Sequence, residues 1–125
     1  MLDSVLRCLI VDDNASFLEA AVRLLEREGM TVAGLASNTA EALRQSRDLR
    51  PDVVLVDINL GSESGIDLAR RLAETDGDST VILISTQSEA DVAELIAATP
   101  AAGFVPKSEL SAAAIRRLAT ARRER

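Results

Sequence analysis

The sequence has no histidine, and it contains only one cysteine, two phenylalanines and one lysine. Without histidine the chain cannot form a Ser-His-Asp triad, a Cys-His pair or a His-ligated metal site. The lone Cys8 cannot form an internal disulfide, and its apolar surroundings predict a buried thiol in a reducing compartment. The one lysine, Lys107, stands against thirteen arginines, so its position requires an explanation.

No apolar run approaches the length of a membrane span, and no charged-then-apolar leader opens the chain. The net charge of -6 argues against a nucleic-acid binding surface. We therefore expect a cytoplasmic protein that binds neither membrane nor nucleic acid directly. Its 125 residues suffice for one domain with its own core, and we expect residues 1–125 to form that domain.

The most informative segment is residues 52–60, in which an aliphatic run follows Pro51 and ends on Asp57. A short apolar run between Pro51 and Gly61 predicts a strand buried on both faces, as in a parallel sheet covered by helices. Burying an unpaired carboxylate at its end is costly. Asp57 is therefore predicted to lie in an open crevice or beside a cation, at the carboxyl ends of the strands where α/β proteins bind ligands.

Strand and helix patterns alternate along the rest of the chain. Further strands are predicted at residues 6–11, 31–36, 80–85 and 103–106. Helices are predicted over residues 14–28, 38–49, 66–74 and about 88–100, and then from Ser108 as an N-cap. Phe17 falls on the apolar stripe of the first helix and is assigned to the core. Five βα repeats with short connections predict an α/β, doubly wound, five-stranded parallel sheet.

Three acids follow two of these strands, Asp12 and Asp13 after the first and Asp57 at the end of the third. If the two strands are neighbours, about 4.8 Å apart, the carboxylates converge. Such a cluster repels itself unless a cation is present, and an open all-oxygen site suits Mg²⁺. An alternative is that Asp12 and Asp13 only mark the start of a helix, where the macrodipole favours acids, but this leaves Asp57 unexplained.

The whole pattern resembles a response-regulator receiver domain of two-component signal transduction. The matching positions are Asp12-Asp13, Asp57, Gly65 eight residues later, a hydroxyl after the fourth strand, and Phe104 three residues before Lys107. The resemblance implies the flavodoxin-like sheet order 2-1-3-4-5, which receivers are known to have. The segment around Lys107 resembles receivers attached to helix-turn-helix output domains, and no output domain is expected within this chain.

The resemblance also implies the chemistry. Asp57 would accept a phosphoryl group from a sensor histidine kinase, a phosphotransfer protein or a small acyl phosphate, and would lose it slowly by self-dephosphorylation. Asp12, Asp13, Asp57 and the backbone carbonyl of Asn59 would hold Mg²⁺. Such a domain is a switch with its own phosphorylation chemistry, which leaves open whether it should be called an enzyme.

Two further residues would hold the phosphoryl oxygens, Ser85 and Lys107. The usual spacing before the lysine selects Ser85 over Thr86, which would then restrict access to the phosphoryl group. Lys107 would have to span two strand spacings, on the order of 10 Å, which requires a long cationic side chain. Ser85 and Phe104 would move on phosphorylation, although an aromatic residue on a short strand can equally be an ordinary core residue.

The sequence departs from the family pattern in ways that leave alternatives open. Gly61 replaces a usual proline, so the loop is expected to be looser, and Ser108 replaces another after Lys107. The main alternative is a phosphorylation-independent pseudo-receiver that only binds partners. A metal-dependent hydrolase lacks a dedicated base here, and a nucleotide-binding protein lacks a glycine-rich loop after the first strand. Phosphorylation-induced homodimerisation and a DNA-binding output domain are further expectations.

Overall fold

A five-stranded parallel sheet forms the centre of the molecule in a computed structural model, which describes residues 6–75 and 79–123. Its strands are β1 (Arg7–Val11), β2 (Thr31–Ala36), β3 (Val53–Asp57), β4 (Thr80–Ser85) and β5 (Gly103–Pro106). They lie side by side in the order β2-β1-β3-β4-β5. The predicted α/β fold and its flavodoxin-like strand order are therefore confirmed.

Helices cover both faces of the sheet, and they are α1 (Ala15–Arg27), α2 (Thr39–Leu49), α3 (Gly65–Thr75), α4 (Ala93–Ala97) and α5 (Ala112–Arg123). Alternate strand residues point to opposite faces. One core cluster joins Cys8 and Ile10 to α1 and α5, and the other joins Leu9 and Val11 to α2 and α3. Within the described part of the chain, no helix has the length and apolarity needed to cross a membrane.

The predicted start of α2 agrees with the structure, whereas the predicted start of α5 does not. Asn38 caps α2, since its Oδ1 accepts a hydrogen bond from the Glu41 N–H at 2.9 Å. The Glu41 carboxylate reaches one residue further than a capping box requires, to the Ser37 N–H at 2.8 Å. This backbone hydrogen bond lowers the pKa of Glu41.

The prediction that Ser108 caps the last helix is wrong. Ser108 lies in a 3-10 turn, and α5 begins four residues later. Ser111 is the cap, because its Oγ accepts from the Ala114 N–H at 3.0 Å. Glu28, at the end of α1, accepts from the Ala112 N–H at 2.7 Å. The start of α5 therefore depends on a contact with a distant part of the chain.

The helix predicted over residues 88–100 is shorter than expected. A 3-10 turn at Ala90–Val92 leads into α4, which has a single α-helical segment at Ala93–Ala97. Its start is held by Ser88, whose Oγ accepts from the Asp91 N–H at 3.3 Å. The side chain of Val92 is buried, whereas Leu95 is 45% exposed. Few apolar side chains of this segment reach the core, which explains why the helix is short.

Candidate functional site

The strand register brings three carboxylates together. Val11 pairs with Val56 in the parallel β1–β3 ladder, so Asp12 follows β1 beside Asp57 at the end of β3. One carboxylate oxygen from each of Asp12, Asp13 and Asp57 lies within 4.8 Å of the other two. Asp12 is fully buried, Asp57 is nearly so, and Asp13 is exposed. The cluster is thus open to water on one side only.

Each buried carboxylate is fixed by its own loop. Asp12 Oδ1 accepts from the Asn14 N–H at 2.9 Å, and Asp57 Oδ1 accepts from the Asn59 N–H at 3.0 Å. Asp and Asn side chains commonly bond to a backbone N–H two residues on. The loops after β1 and β3 therefore hold one oxygen of each carboxylate, while the Oδ2 atoms face Lys107.

Lys107 reaches this cluster from the end of β5, across β4. Its Nζ lies 3.0 Å from Asp57 Oδ2 and 2.5 Å from Asp12 Oδ2, and the lysine side chain is 12% exposed. The sequence predicted that this side chain would span two strands. The structure places its ammonium on the two buried carboxylates.

The charges in the cluster are not balanced. Burial raises the pKa of Asp57, and Asp12 raises it further, although hydrogen bonds from Asn59 and Lys107 oppose the change. Burial alone would lower the pKa of Lys107, but its contacts with Asp12 and Asp57 outweigh burial and raise it. One ammonium thus faces three carboxylates. The hard oxygen donors and the excess negative charge fit Mg²⁺.

Phe17 also belongs to this site, and the sequence analysis missed it. The ring packs partly against the core, as predicted, but the Lys107 Nζ lies 4.4 Å from its centroid. Phe17 is half-buried and therefore not simply a core residue. Its place one helical turn after Asp13 was the available signal, since the first turn of α1 stands next to the carboxylates.

The other predicted site residues lie around the same edge of the sheet. Ser85 ends β4, is 1% exposed, and its Oγ accepts from the Gln87 N–H at 3.0 Å. Asn59 is exposed directly after β3, whereas Phe104 is buried in the core cluster under α2 and α3. The roles assigned to Ser85, Asn59 and Phe104 remain predictions.

The loop after Asp57 is a tight hairpin. Residues Asn59–Leu60 pair antiparallel with Glu63–Ser64, and Gly61 between them has a φ of 63°. A positive φ of this size favours glycine, and proline, whose φ is fixed near −65°, cannot adopt it. Gly65 then begins α3 against β3, where an added Cβ would lie 1.8 Å from the Asp57 carbonyl oxygen. No other residue type allows this approach.

Comparison with known proteins agrees with this geometry. Residues 8–119 match the family model of the response regulator receiver domain. The DNA-binding response regulator MtrA of Mycolicibacterium paratuberculosis is 40% identical over 86 residues, which cover 69% of this chain and 38% of that protein. The chain spans between 30% and 50% of the length of the first curated relatives that it matches.

Two solved structures illustrate the similarity in fold. A two-component response regulator of the LuxR family from Aurantimonas sp. has 31% identity and a TM-score of 0.77, covering 84% of this chain and 76% of its own. A response regulator from Burkholderia pseudomallei, solved with a phosphorylated aspartic acid, a calcium ion and citrate, has 25% identity and a TM-score of 0.78. The match covers 94% of this chain and 71% of that one.

Proposed function

The chain belongs to the response regulator receiver domain family, and we propose that it is a phosphorylation-dependent signalling switch with Asp57 as its phosphoryl acceptor. The donor is a phosphohistidine of a sensor histidine kinase or phosphotransfer protein. One observation carries this proposal, which is the convergence of Asp12, Asp13 and Asp57 at the end of the sheet with Lys107 reaching them from β5.

The transfer is a displacement at phosphorus. A carboxylate oxygen of Asp57 forms the new O–P bond while the N–P bond of the donor phosphohistidine breaks, and the bonding electron pair returns to the imidazole nitrogen. Asp57 suits this role because only 6% of it is exposed and the Asn59 N–H fixes one of its oxygens. Attack by water on the aspartyl phosphate later releases inorganic phosphate and regenerates the carboxylate, which gives slow self-dephosphorylation.

Mg²⁺ would be held by Asp12, Asp13, Asp57 and the backbone carbonyl of Asn59. When bound, it stabilises the negative charge that develops on the transferred phosphoryl group. The chain supplies hard oxygen donors from two neighbouring strands and keeps Asp13 open to water. The Burkholderia relative was solved with both a phosphorylated aspartic acid and a calcium ion, which supports the proposal of a divalent cation for this chain.

The switch consists of side chains that respond to the new phosphoryl group. Lys107 moves its contacts from the carboxylates to the phosphoryl oxygens, and the hydroxyl of Ser85 turns from the Gln87 N–H toward the same group. Phe104, which lies on β5 next to β4, then repacks. Phosphorylation in this way shifts the population toward a second state of the α4–β5–α5 surface.

The output of the switch would be carried by a separate domain. Because the chain covers 38% of MtrA, whose name describes it as DNA-binding, we propose a DNA-binding output domain, transcription regulation and homodimerisation on phosphorylation. The receiver itself would not contact DNA, since its net charge is -6. We propose a cytoplasmic location, which the resemblance implies and which the fully buried Cys8 thiol fits.

The alternative is a pseudo-receiver that uses the same fold without phosphorylation. Such a module has no need of a buried carboxylate cluster that costs stability. This chain has all the side chains that the proposed chemistry requires, namely Asp12, Asp13, Asp57, Ser85 and Lys107. The complete set favours the switch.

Incubation with acetyl phosphate and Mg²⁺, followed by intact mass spectrometry, tests the proposal. The wild type should gain the mass of one phosphoryl group and lose it again after the donor is removed. Asp57→Asn should gain none. Asp48→Asn, which changes an exposed acid on α2, serves as the matched control and should behave as wild type. A wild type that gains no mass from acetyl phosphate or from a phosphorylated histidine donor would favour the pseudo-receiver.

A further inference from the structure

The ring of Phe17 is a partner of the lysine ammonium as well as a packing group. The Nζ of Lys107 lies 4.4 Å from the ring centroid, and only 12% of the lysine side chain is exposed. The face of an aromatic ring is electron-rich, and its attraction for a cation is stronger when water is excluded. The ammonium is therefore held by the ring as well as by Asp12 and Asp57.

Hydrogen bonds fix the backbone of Phe17 relative to Asp12. Asn14 follows the acid pair, and its N–H donates to Asp12 Oδ1 at 2.9 Å. The Asn14 side chain then accepts from the Phe17 N–H at 3.1 Å and caps α1. Carboxylate, cap and ring thus belong to one short hydrogen-bonded segment. The Lys107 side chain reaches from the end of β5 to the carboxylate and the ring of this segment.

We propose that Phe17 is a positioning residue that holds the Lys107 ammonium on the Asp12–Asp57 pair and so opposes entry of a divalent cation. The inference rests on the proposed function, because it concerns the same metal cluster. An ammonium and a Mg²⁺ ion that share carboxylate oxygens compete with each other. Every contact that stabilises the ammonium there weakens metal binding. Phe17 thereby raises the Mg²⁺ concentration that is needed to displace the Lys107 ammonium from the two carboxylates.

The sequence offers a clean way to observe this contact, because Lys107 is the only lysine. In protein labelled with ¹³C-lysine, the ε-methylene of one residue gives the whole lysine signal. Protons above the face of an aromatic ring are shifted upfield. We expect an upfield Lys107 signal in metal-free wild type, its return toward the ordinary lysine position in Phe17→Leu, and its retention in Phe17→Tyr.

The second measurement is Mg²⁺ affinity, by calorimetric titration without any phosphoryl donor. Phe17→Leu should bind Mg²⁺ about fivefold more tightly than wild type, as expected for loss of a cation–π contact. Phe17→Tyr keeps an aromatic face and should stay within about twofold. Leu24→Ala is the matched control, since Leu24 is half-buried on the same helix against the same core cluster, and its affinity should equal that of wild type.

Several results would overturn the inference. One is a lysine signal that is not shifted in wild type, or that does not move in Phe17→Leu. Another is an affinity change in Phe17→Leu no larger than that in Leu24→Ala, which would make the ring a packing group only. If Phe17→Leu does not fold, Phe17→Met removes the ring but keeps an unbranched apolar side chain, and the same results apply.

The outcomes also separate this inference from the proposed function. Normal phosphorylation of Asp57 together with an unshifted Lys107 signal would reject the role of Phe17 alone. Absence of any Mg²⁺ binding by wild type would reject both the role of Phe17 and the metal part of the proposed function.

Discussion

Two aspartates mark the ends of strand β3, Asp52 directly before it and Asp57 as its last residue, and their carboxylates have different partners. At the amino end, Asp52 Oδ2 accepts from the Arg7 N–H at 2.8 Å, and the Asp52 N–H donates to the Arg7 carbonyl at 2.9 Å. At the carboxyl end, Asp57 shares one ammonium with Asp12. The first aspartate completes the hydrogen bonding of the sheet, whereas the second adds to an excess of negative charge.

A cavity and a carboxylate with a raised pKa lie at opposite ends of β3. A cavity of about 670 Å³ lies at the amino end, lined in part by Arg47, Arg50 and Asp52. The carboxyl end is where burial raises the pKa of an aspartate, at Asp57. A cavity of similar volume, about 570 Å³, is lined in part by Thr86, Phe104 and Pro106, so cavity volume alone does not select one of these places. A buried charge that its neighbours do not balance is the better indicator of a functional site.

The largest expected effects, on phosphoryl uptake and on stability, come from replacing Asp57 and Asp52 separately. Asp57→Asn should abolish phosphoryl uptake. Its free energy of unfolding in metal-free buffer should equal that of wild type or exceed it by up to about 1 kcal/mol, because a buried charge beside Asp12 is removed. Asp52→Ala should keep uptake but lose about 2 kcal/mol, because the Arg7 N–H loses its partner. Urea denaturation and intact mass measure the two quantities.

The opposite order of stabilities would contradict this prediction. If Asp57→Asn were less stable than Asp52→Ala in metal-free buffer, the carboxylate at Asp57 would be a structural group like Asp52. The distinction between the two ends of β3 would then fail.

Lys107→Ala is expected to have the next largest effect. Removing the ammonium leaves Asp12 and Asp57 buried without their cation, so the metal-free protein should lose about 3 kcal/mol of stability, and Mg²⁺ should restore much of it. Phosphoryl uptake should persist, because Asp57, the proposed nucleophile, is unchanged. The conformational response should be lost, since the contact from β5 to the phosphoryl group is missing.

The measurement pairs intact mass for uptake with dimerisation, or exchange broadening at Phe104, for the response. Lys107→Arg should restore the response only in part, because a planar guanidinium presents its donors differently. A Lys107→Ala protein that takes up phosphate and switches as wild type would make this lysine an ordinary surface residue.

Asp13→Asn tests the open side of the cluster with a smaller effect. Mg²⁺ affinity should fall by roughly tenfold or more, because the charge of one carboxylate close to the ion is lost. Stabilisation of the folded protein by Mg²⁺ should fall correspondingly in thermal denaturation. Asp67→Asn, an exposed acid in the first turn of α3, is the matched control and should bind as wild type. Equal affinities in the two variants would remove Asp13 from the site.

The sequence was sufficient for the sheet because β3 is buried along its whole length and reads as an uninterrupted apolar run. Asp12, Asp13 and Asp57 could be grouped because parallel strands end at the same edge, whereas the strand order and the role of Lys107 came from the resemblance to receiver domains. The start of α5 was predicted at the wrong serine, because Ser108 and Ser111 are both local cap candidates and the contact of Ala112 with Glu28, 84 residues away, is not visible in the sequence. Tertiary partners of this kind leave no local pattern.

Phe17 shows the same limit within the site. Its spacing on α1 is that of a core residue, and that reading is partly right. Only the three-dimensional arrangement brings Lys107 over its ring. A residue that serves both packing and electrostatics gives the pattern of packing alone, because hydrophobic periodicity does not record which group lies at the edge of the core.

The smallest effect is expected at Cys8, a titratable group in β1 with apolar neighbours. Burial raises its pKa from 9.0 to about 12, and the side chain is fully buried. Between these values the folded protein keeps a proton that the unfolded chain has lost. Stability linked to Cys8 is therefore complete below pH 9 and falls as the pH rises, by about 1.4 kcal/mol at pH 10.

Cys8→Ala isolates this loss. The variant is less stable than wild type at pH 7 because of the missing side-chain volume, but the difference between the two proteins should shrink by about 1.4 kcal/mol at pH 10. Lys107 also titrates in this range, and since both proteins contain it, its contribution cancels. Urea denaturation at the two pH values gives the result. A difference independent of pH would mean that the Cys8 thiol ionises as readily in the folded protein as in the unfolded chain, despite its burial.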